Sequence, residues 1–275
     1  MDELYVIARR VLLDALEALR EHRGATILVG AQAIYLHTGA AELGVAEYTT
    51  DADLALDPAL LAEIPPLEQA LEGAGFYRST STVGIWKTSR RTSQAIDIDV
   101  QVDLLVPATA SPGAGRRAVR LAGHGVHTAR KVDGLEGVLV DQAEHDIASL
   151  EPDVDARVVR AKVAGPGALL VAKLFKIHER RRTARANDKD ALDVLRVLQA
   201  IPTEDLARRV RAILADERSA AAGERSLELL DDLFGNRGSD GPVMAARAAQ
   251  PMVDPDQVRL MCEVLAGDLR AALSR

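Results

Sequence analysis

Aromatic residues make up only 3% of this 275-residue chain, and cysteine is scarcer still, with Cys262 alone. A single thiol excludes an internal disulfide and a cysteine-built zinc centre, and it fits a reducing cytoplasm. No stretch approaches the roughly 20 apolar residues that cross a bilayer. Residues 1–10 carry charges and no long apolar run, so neither a membrane partner nor a secretory signal is expected. The formal net charge of −7 argues against a surface that binds nucleic acid everywhere, and leaves room for a local basic face. Hydrophobic residues, at 48%, are ordinary in amount and sufficient for a sizeable core, in one large domain or two smaller ones.

Periodicity sorts the chain into two parts. Residues 4–19 repeat apolar side chains at helical spacing, residues 26–29 read as a short buried strand ending at Gly30, and a helix follows over 31–37. A strand is expected over 52–56, a helix over 58–72, and a strand over 83–88. Residues 96–106 alternate strictly, with Ile96, Ile98, Val100, Val102 and Leu104 on one face and Asp97, Asp99, Gln101 and Asp103 on the other. Weaker strands are expected over 137–140 and 158–163, with 111–115 as a loop. At Gly165-Pro166-Gly167 the strand pattern stops. Helices are then expected over 168–182, 189–198, 203–214, 224–233 and 256–273. The fold class is therefore α/β (α+β): a mixed α/β lobe over 1–164, then a helical lobe over 165–275 that completes a cleft.

The residues with the clearest chemistry are Asp51 and Asp53 in Thr50-Asp51-Ala52-Asp53-Leu54. Residues two apart on a strand share a face, so both carboxylates can aim at one metal or at two. Oxygen donors on a rigid strand suit Mg²⁺ (or Mn²⁺), which fills its remaining shell with phosphate oxygens and water. Asp103, near the end of the alternating strand, is the candidate third carboxylate. Three such groups together repel one another and call for a cation. Gly30-Ala31-Gln32 sits at a strand-to-helix turn, where free backbone N–H groups can cradle a phosphate. Lys173, Lys176 and Arg180 share one arc of a helix beside Leu170, Leu174 and Ile177, so the Lys173 stem should pack while its ammonium reaches the cleft.

Asn187-Asp188-Lys189-Asp190 opens the next helix. Asn187 suits the N-cap, and Asp190 serves either the cap or, as a catalytic or Lys173-orienting residue, the site, with Asp193 the alternative one turn on. Arg116, Arg117, Arg120, Arg130 and Lys131 form a stretch without acids that suits an RNA backbone or a solvated loop. His124 and His127 lack a third metal ligand, and His37 reads as a packed histidine. Tyr77 and Trp86 read as core or cleft wall, and Cys262 as a buried, inert thiol.

Taken in order, Val29-Gly30-Ala31-Gln32-Ala33, Thr50-Asp51-Ala52-Asp53-Leu54, Val102-Asp103-Leu104-Leu105, Ala172-Lys173-Leu174 and Asp188-Lys189-Asp190-Ala191-Leu192-Asp193 resemble the layout of the DNA polymerase β-like nucleotidyltransferases. Within them the chain looks most like the AbiEii/MenT group, toxins of type IV-like toxin–antitoxin and abortive-infection systems. The resemblance spans about residues 25–200. It implies a mixed nucleotidyltransferase sheet flanked by helices, a helical C-terminal lobe, and NMP transfer from an NTP to a hydroxyl. It implies Asp51 and Asp53 at the metal, Gly30 and Ala31 at the phosphates, Lys173 at the triphosphate, and Asp190 as acidic partner; Asp103 as a further metal ligand and Lys176 as a further phosphate contact are expected from the residues themselves. Some members of the group attach nucleotides to a tRNA 3′ end and are toxins paired with an antitoxin, so tRNA and a cognate antitoxin are the expected partners; the chain itself is expected to be a cytoplasmic monomer. The family turn is usually Gly-Gly or Gly-Ser, and Gly30-Ala31 stands here instead. The residues themselves leave two other readings: transfer to a small aminoglycoside-like molecule or a protein side chain, and an idle nucleotide-binding protein.

Overall fold

The computed structural model describes residues 2–39, 47–110 and 118–275. By its internal packing the chain forms two compact units, and neither is a continuous stretch. The first comprises Met1–Ala33, Glu47–Val132 and Gln142–Ala164; the second comprises Ile34–Ala46, Asp133–Asp141 and Gly165–Arg275.

The first unit is a mixed eight-stranded sheet with helices against it. In chain order its strands are β1 (Thr26–Val29), β2 (Asp51–Leu56), β3 (Tyr77–Arg78), β4 (Ile85–Arg91), β5 (Asp97–Pro107), β6 (Arg130–Val132), β7 (Gln142–Ala148) and β8 (Val158–Ala164). Their spatial order is β3-β4-β5-β2-β1-β8-β7, and β6 adds to β5 beyond the end of β4. β1 lies antiparallel to β2 and parallel to β8, while β2 and β5 run parallel. The central strands carry the core: Ile27, Leu28, Leu54, Leu56, Val102 and Leu104 are all inaccessible to solvent. Helix α1 (Glu3–Ala18) covers β2, β5 and β8 with an apolar stripe that includes Val11, Leu12 and Leu16. Asp2 caps it by accepting from the Leu4 and Tyr5 amides. Helix α2 (Gly30–Thr38) leaves β1 without an intervening residue.

The second unit is helical: α4 (Pro166–Arg180), α5 (Asp188–Ala200), α6 (Thr203–Ala215), α7 (Ala220–Phe234), α8 (Asp240–Ala249) and α9 (Pro255–Leu273). Leu195, Ile213, Leu229, Phe234 and Leu269 are among its buried side chains. Gly165 and Pro166 start α4, where a missing amide proton costs nothing. Asp141 supplies the side-chain oxygen that accepts from the Ala168 amide at 3.1 Å.

Two of the expected elements need correction. The helix expected over 58–72 is confined to α3 (Leu67–Gly73), because Pro65 and Pro66 lack amide protons and hold the preceding chain out of a helix. Residues 137–140, expected as a strand, belong to a 3-10 turn (Glu136–Leu139), with Gly137 against Ala168 and Ile213. The strand lies further on, at β7, where among seven residues Ile147 is the buried one and no alternation shows. The short strands β3 and β6 and the helix α8, whose first turn is Asp240-Gly241-Pro242, were not expected. The expected loop over 111–115 lies outside the described residues.

Candidate active site

The acidic residues of the first unit are brought together by strand register. On β2, Asp53 is paired through the backbone with Val29 of β1 on one side and Asp103 of β5 on the other. Asp51 lies two residues before Asp53 and so faces the same side of the sheet. Both are partly exposed, whereas Asp103 is buried. Burial raises the Asp103 carboxyl, and the Asp53 charge raises it further. Arg130, whose guanidinium donates to Asp103 Oδ2, opposes this, and the balance stands at about 7.

The first-turn glycine fits the same cluster. Gly30 follows directly on Val29 and has a φ of +72°, which an L side chain rarely adopts. A Cβ there would be driven into the Asp53 carboxylate, so glycine is required on both counts. The amides of Gly30 and Ala31 open α2, where a helix leaves its first N–H groups without intrahelical partners.

Gln32, expected at the phosphate with them, has its side chain committed elsewhere. Its Nε2 donates to the Asp51 carbonyl at 3.0 Å and to the Ala8 carbonyl at 3.3 Å, and its Oε1 accepts from Arg9 Nε at 2.8 Å. Gln32 therefore ties the start of β2 to α1. Thr49, buried two residues before Asp51, donates its hydroxyl to Asp51 Oδ1 at 2.6 Å and fixes the rotamer of that carboxylate.

The donor set of Asp51 and Asp53 is all carboxylate oxygen, which fits Mg²⁺ or Mn²⁺ and disfavours softer metals. Among the described residues, no three His, Cys, Asp or Glu side chains are grouped so as to hold an ion. Asp103, the expected third ligand, accepts from Arg130 through Oδ2.

The second unit holds a separate charged cluster. Lys173 on α4 is buried, and its ammonium donates at 2.7 Å to both Asp190 Oδ1 and Asp193 Oδ2 on α5. Burial alone would lower the Lys173 pKa; the two carboxylates outweigh it and hold the value far above the ordinary lysine value. Asp190 would likewise be raised by burial, and Lys173 followed by Lys176 pulls it well below the usual carboxylate range. The expectation that Lys173 offers its ammonium to a cleft thus meets a side chain enclosed by two acids. Lys176, at 3.2 Å from Asp190 and with its side chain 33% exposed, is the more open cation of this group. Asn187 caps α5 by accepting from the Lys189 amide, so Asp190 is left to orient lysine.

The remaining expectations divide. Trp86 is core, its Nε1 donating to the Thr128 carbonyl, but Tyr77 is exposed and donates its hydroxyl to Asp99. His124 is a backbone clamp, and Cys262 is buried, which pushes its thiol up to about 12. In the basic stretch, Arg120 is exposed, Arg130 is turned onto Asp103, and Arg116 and Arg117 lie outside the described residues. Sequence reasoning missed the positioning roles of Thr49 and Arg130. Thr49 carried a signal, a hydroxyl two residues before an acid on a strand; Arg130, 27 residues from Asp103, carried none.

No family model matches the chain, and no curated protein does. Among solved structures, the chain is similar to an antigenic nucleotidyltransferase-like protein from Paracoccidioides brasiliensis. The two are 14% identical, with a TM-score of 0.39, over 82% of this chain and 93% of that one.

Proposed function

We propose that this chain is a Mg²⁺-dependent nucleotidyltransferase that moves NMP from an NTP to an acceptor hydroxyl. One observation carries the reading: Asp53 is flanked in register by Asp103 on β5 and by the Val29–Gly30 turn on β1, and a side chain at Gly30 would collide with it. The candidate ion ligand and the candidate phosphate turn thereby adjoin, which supports the roles that the resemblance implies for Asp51, Asp53 and Gly30.

In this reading Asp51 and Asp53 hold the ion, with Thr49 fixing the first of them. When bound, the ion neutralises phosphate charge and acidifies the attacking hydroxyl. The amides of Gly30 and Ala31 donate to phosphate oxygens, as helix N-termini do. The acceptor oxygen attacks the α-phosphorus, its proton is lost, and the bond to the bridging oxygen breaks to release pyrophosphate. Positioning and charge account for nearly all catalysis in such transfers. Lys173 acts here as a positioning residue of the helical unit, and Lys176 is its candidate anion contact.

The acceptor we favour is RNA, a tRNA 3′ end, and the physiological role that of a toxin with a cognate antitoxin in a toxin–antitoxin or abortive-infection system. Both rest on the resemblance of the motifs over residues 25–200. The net charge of −7 favours a second reading, a cationic small acceptor of the aminoglycoside kind. Incubation with each labelled NTP, Mg²⁺ and total tRNA tests the proposal directly. Label should transfer to tRNA with wild type and be lost with Asp53→Ala; pyrophosphate release with an aminoglycoside but not with tRNA would favour the second reading. No release with any acceptor would leave an idle nucleotide-binding protein. Retention of tRNA that weakens steeply with salt would separate RNA from the small acceptor.

A further inference from the structure

We propose that Arg130 is a built-in counter-ion, so that the site takes a single divalent ion on Asp51 and Asp53 while Asp103 positions Arg130 instead of binding metal. The ion itself rests on the nucleotidyltransferase reading. The remainder rests on strand register and hydrogen bonding within the first unit.

Asp53 and Asp103 are register partners on adjacent parallel strands, where backbones lie about 4.8 Å apart. Two carboxylates that close are accommodated by a proton on one of them or by positive charge beside them. A second metal is one source of it. Here the guanidinium of Arg130 already supplies it to Asp103, with the two side chains only 15% and 12% exposed. The pairing commits Oδ2 of Asp103 to Arg130, in keeping with the lack of any three-ligand group among the described residues.

The segment that delivers Arg130 is fastened along its length. His124 Nδ1 accepts from the Leu67 amide at 3.1 Å, so Nε2 carries the proton and donates to the Ala62 carbonyl at 3.0 Å. Glu68 accepts from the Gly125 amide at 2.9 Å and from the Thr128 hydroxyl at 3.0 Å. The Thr128 carbonyl takes Trp86 Nε1 at 3.0 Å, and the His127 carbonyl takes the Gly84 amide at 3.2 Å. Arg130 itself is registered against Leu105 of β5. Gly84, with a φ of +75°, makes room, since a Cβ there would press on the Arg130 amide nitrogen and the Leu104 carbonyl. A surface arginine that met an acid by chance would not need a strap of this kind, whereas a functional cation held by locked neighbours does.

Mn²⁺ binding to the full chain, followed by electron paramagnetic resonance, tests this without turnover. Wild type and Asp103→Asn should each bind one ion with affinities within about three-fold, while Asp53→Asn weakens binding roughly ten-fold or more. Arg130→Gln frees Asp103 and should bind two ions; the double variant Asp103→Asn/Arg130→Gln, a neutral pair that guards against misfolding of the single one, should return to one. Two ions in wild type, one ion in a folded Arg130→Gln, or a loss in Asp103→Asn equal to that in Asp53→Asn would overturn the inference. No Mn²⁺ binding by wild type would sink the proposed function along with it. One-ion binding without nucleotide transfer would count against the proposed function alone.

Discussion

A methyl group at Gly30 has two separate costs, and a second glycine allows them to be told apart. The left-handed backbone alone costs an alanine about 1–2 kcal/mol. Gly39 also has a positive φ, of +56°, and a Cβ there meets nothing among the described residues within 4 Å. Gly39→Ala should therefore lower the melting temperature by the backbone cost only and leave divalent-ion binding intact. Gly30→Ala should lower it further and remove Mn²⁺ binding, because the added carbon displaces Asp53. Equal effects of the two substitutions on ion binding would show that Gly30 is only a turn. Cys262 offers a second test at this scale. Burial pushes its thiol up to about 12, so almost no thiolate exists at pH 8, and the sulfur has no accessible surface. Iodoacetamide should leave the native protein unmodified for hours and label it promptly in guanidinium; rapid native labelling would mean that α9 opens locally.

Between elements, α4 is tied to α5 by buried Lys173 with Asp190 and Asp193, and by the more open Lys176 with Asp190. Lys173→Met removes the cation and strands Asp190 and Asp193 together, a loss of about 3–5 kcal/mol for a broken buried pair. The pH dependence has a definite sign. Asp190 is depressed on folding, so its contribution is complete above the ordinary carboxylate value of 3.8 and is lost as pH falls through the lower folded value. Lys173 is raised, so its contribution is complete below 10.5 and is lost as pH rises through the higher folded value. Thermal unfolding should be insensitive to this cluster between those limits. Below pH 4 wild type should lose stability faster than Lys173→Met, in which the acids gain by being protonated. Parallel acid profiles for the two proteins would remove the cluster from the account.

The same scale explains what the sequence could disclose. α1, β2 and β5 are legible because their apolar residues recur at a period near 3.6 or 2, although β5 from Val102 to Pro107 is buried on both faces. Asp51 and Asp53 could be read as neighbours from that period alone. β7 pairs with β8 alone and buries little, so it leaves no such print, and the helix expected across Pro65 and Pro66 gave local proline chemistry too little weight. Asp103 could be picked from Asp97 and Asp99 only by its place near the strand end. Its partnership with Arg130 depends on β6 joining β5, a pairing of distant segments that no local pattern encodes.

For the whole molecule, the route of the chain matters more than the order of its segments. The change of pattern at Gly165 invites a cut between residues 164 and 165, yet the helical unit also contains Asp133–Asp141. In that segment Leu135, Val138 and Leu139 are buried, and Gly134 and Gly137 pack closely against Phe175, Ala168 and Ile213. Asp141 accepts from the Ala168 amide and, at 2.7 Å, from Arg209. A fragment of 165–275 would lose three apolar side chains, each worth about 1.5–3 kcal/mol when buried. It would also lose the acid that caps α4. Against the 5–15 kcal/mol that holds a typical domain together, that loss is most of the margin. The fragment should therefore retain helical circular dichroism, bind a hydrophobic dye and melt without a cooperative transition. Fragment 133–275, which restores the segment, should regain a sharp transition, and Asp141→Ala within it should lower the midpoint again. If 165–275 melts cooperatively at the temperature of the full chain, the 133–141 segment is dispensable, and the helical unit must be redrawn to begin at Gly165.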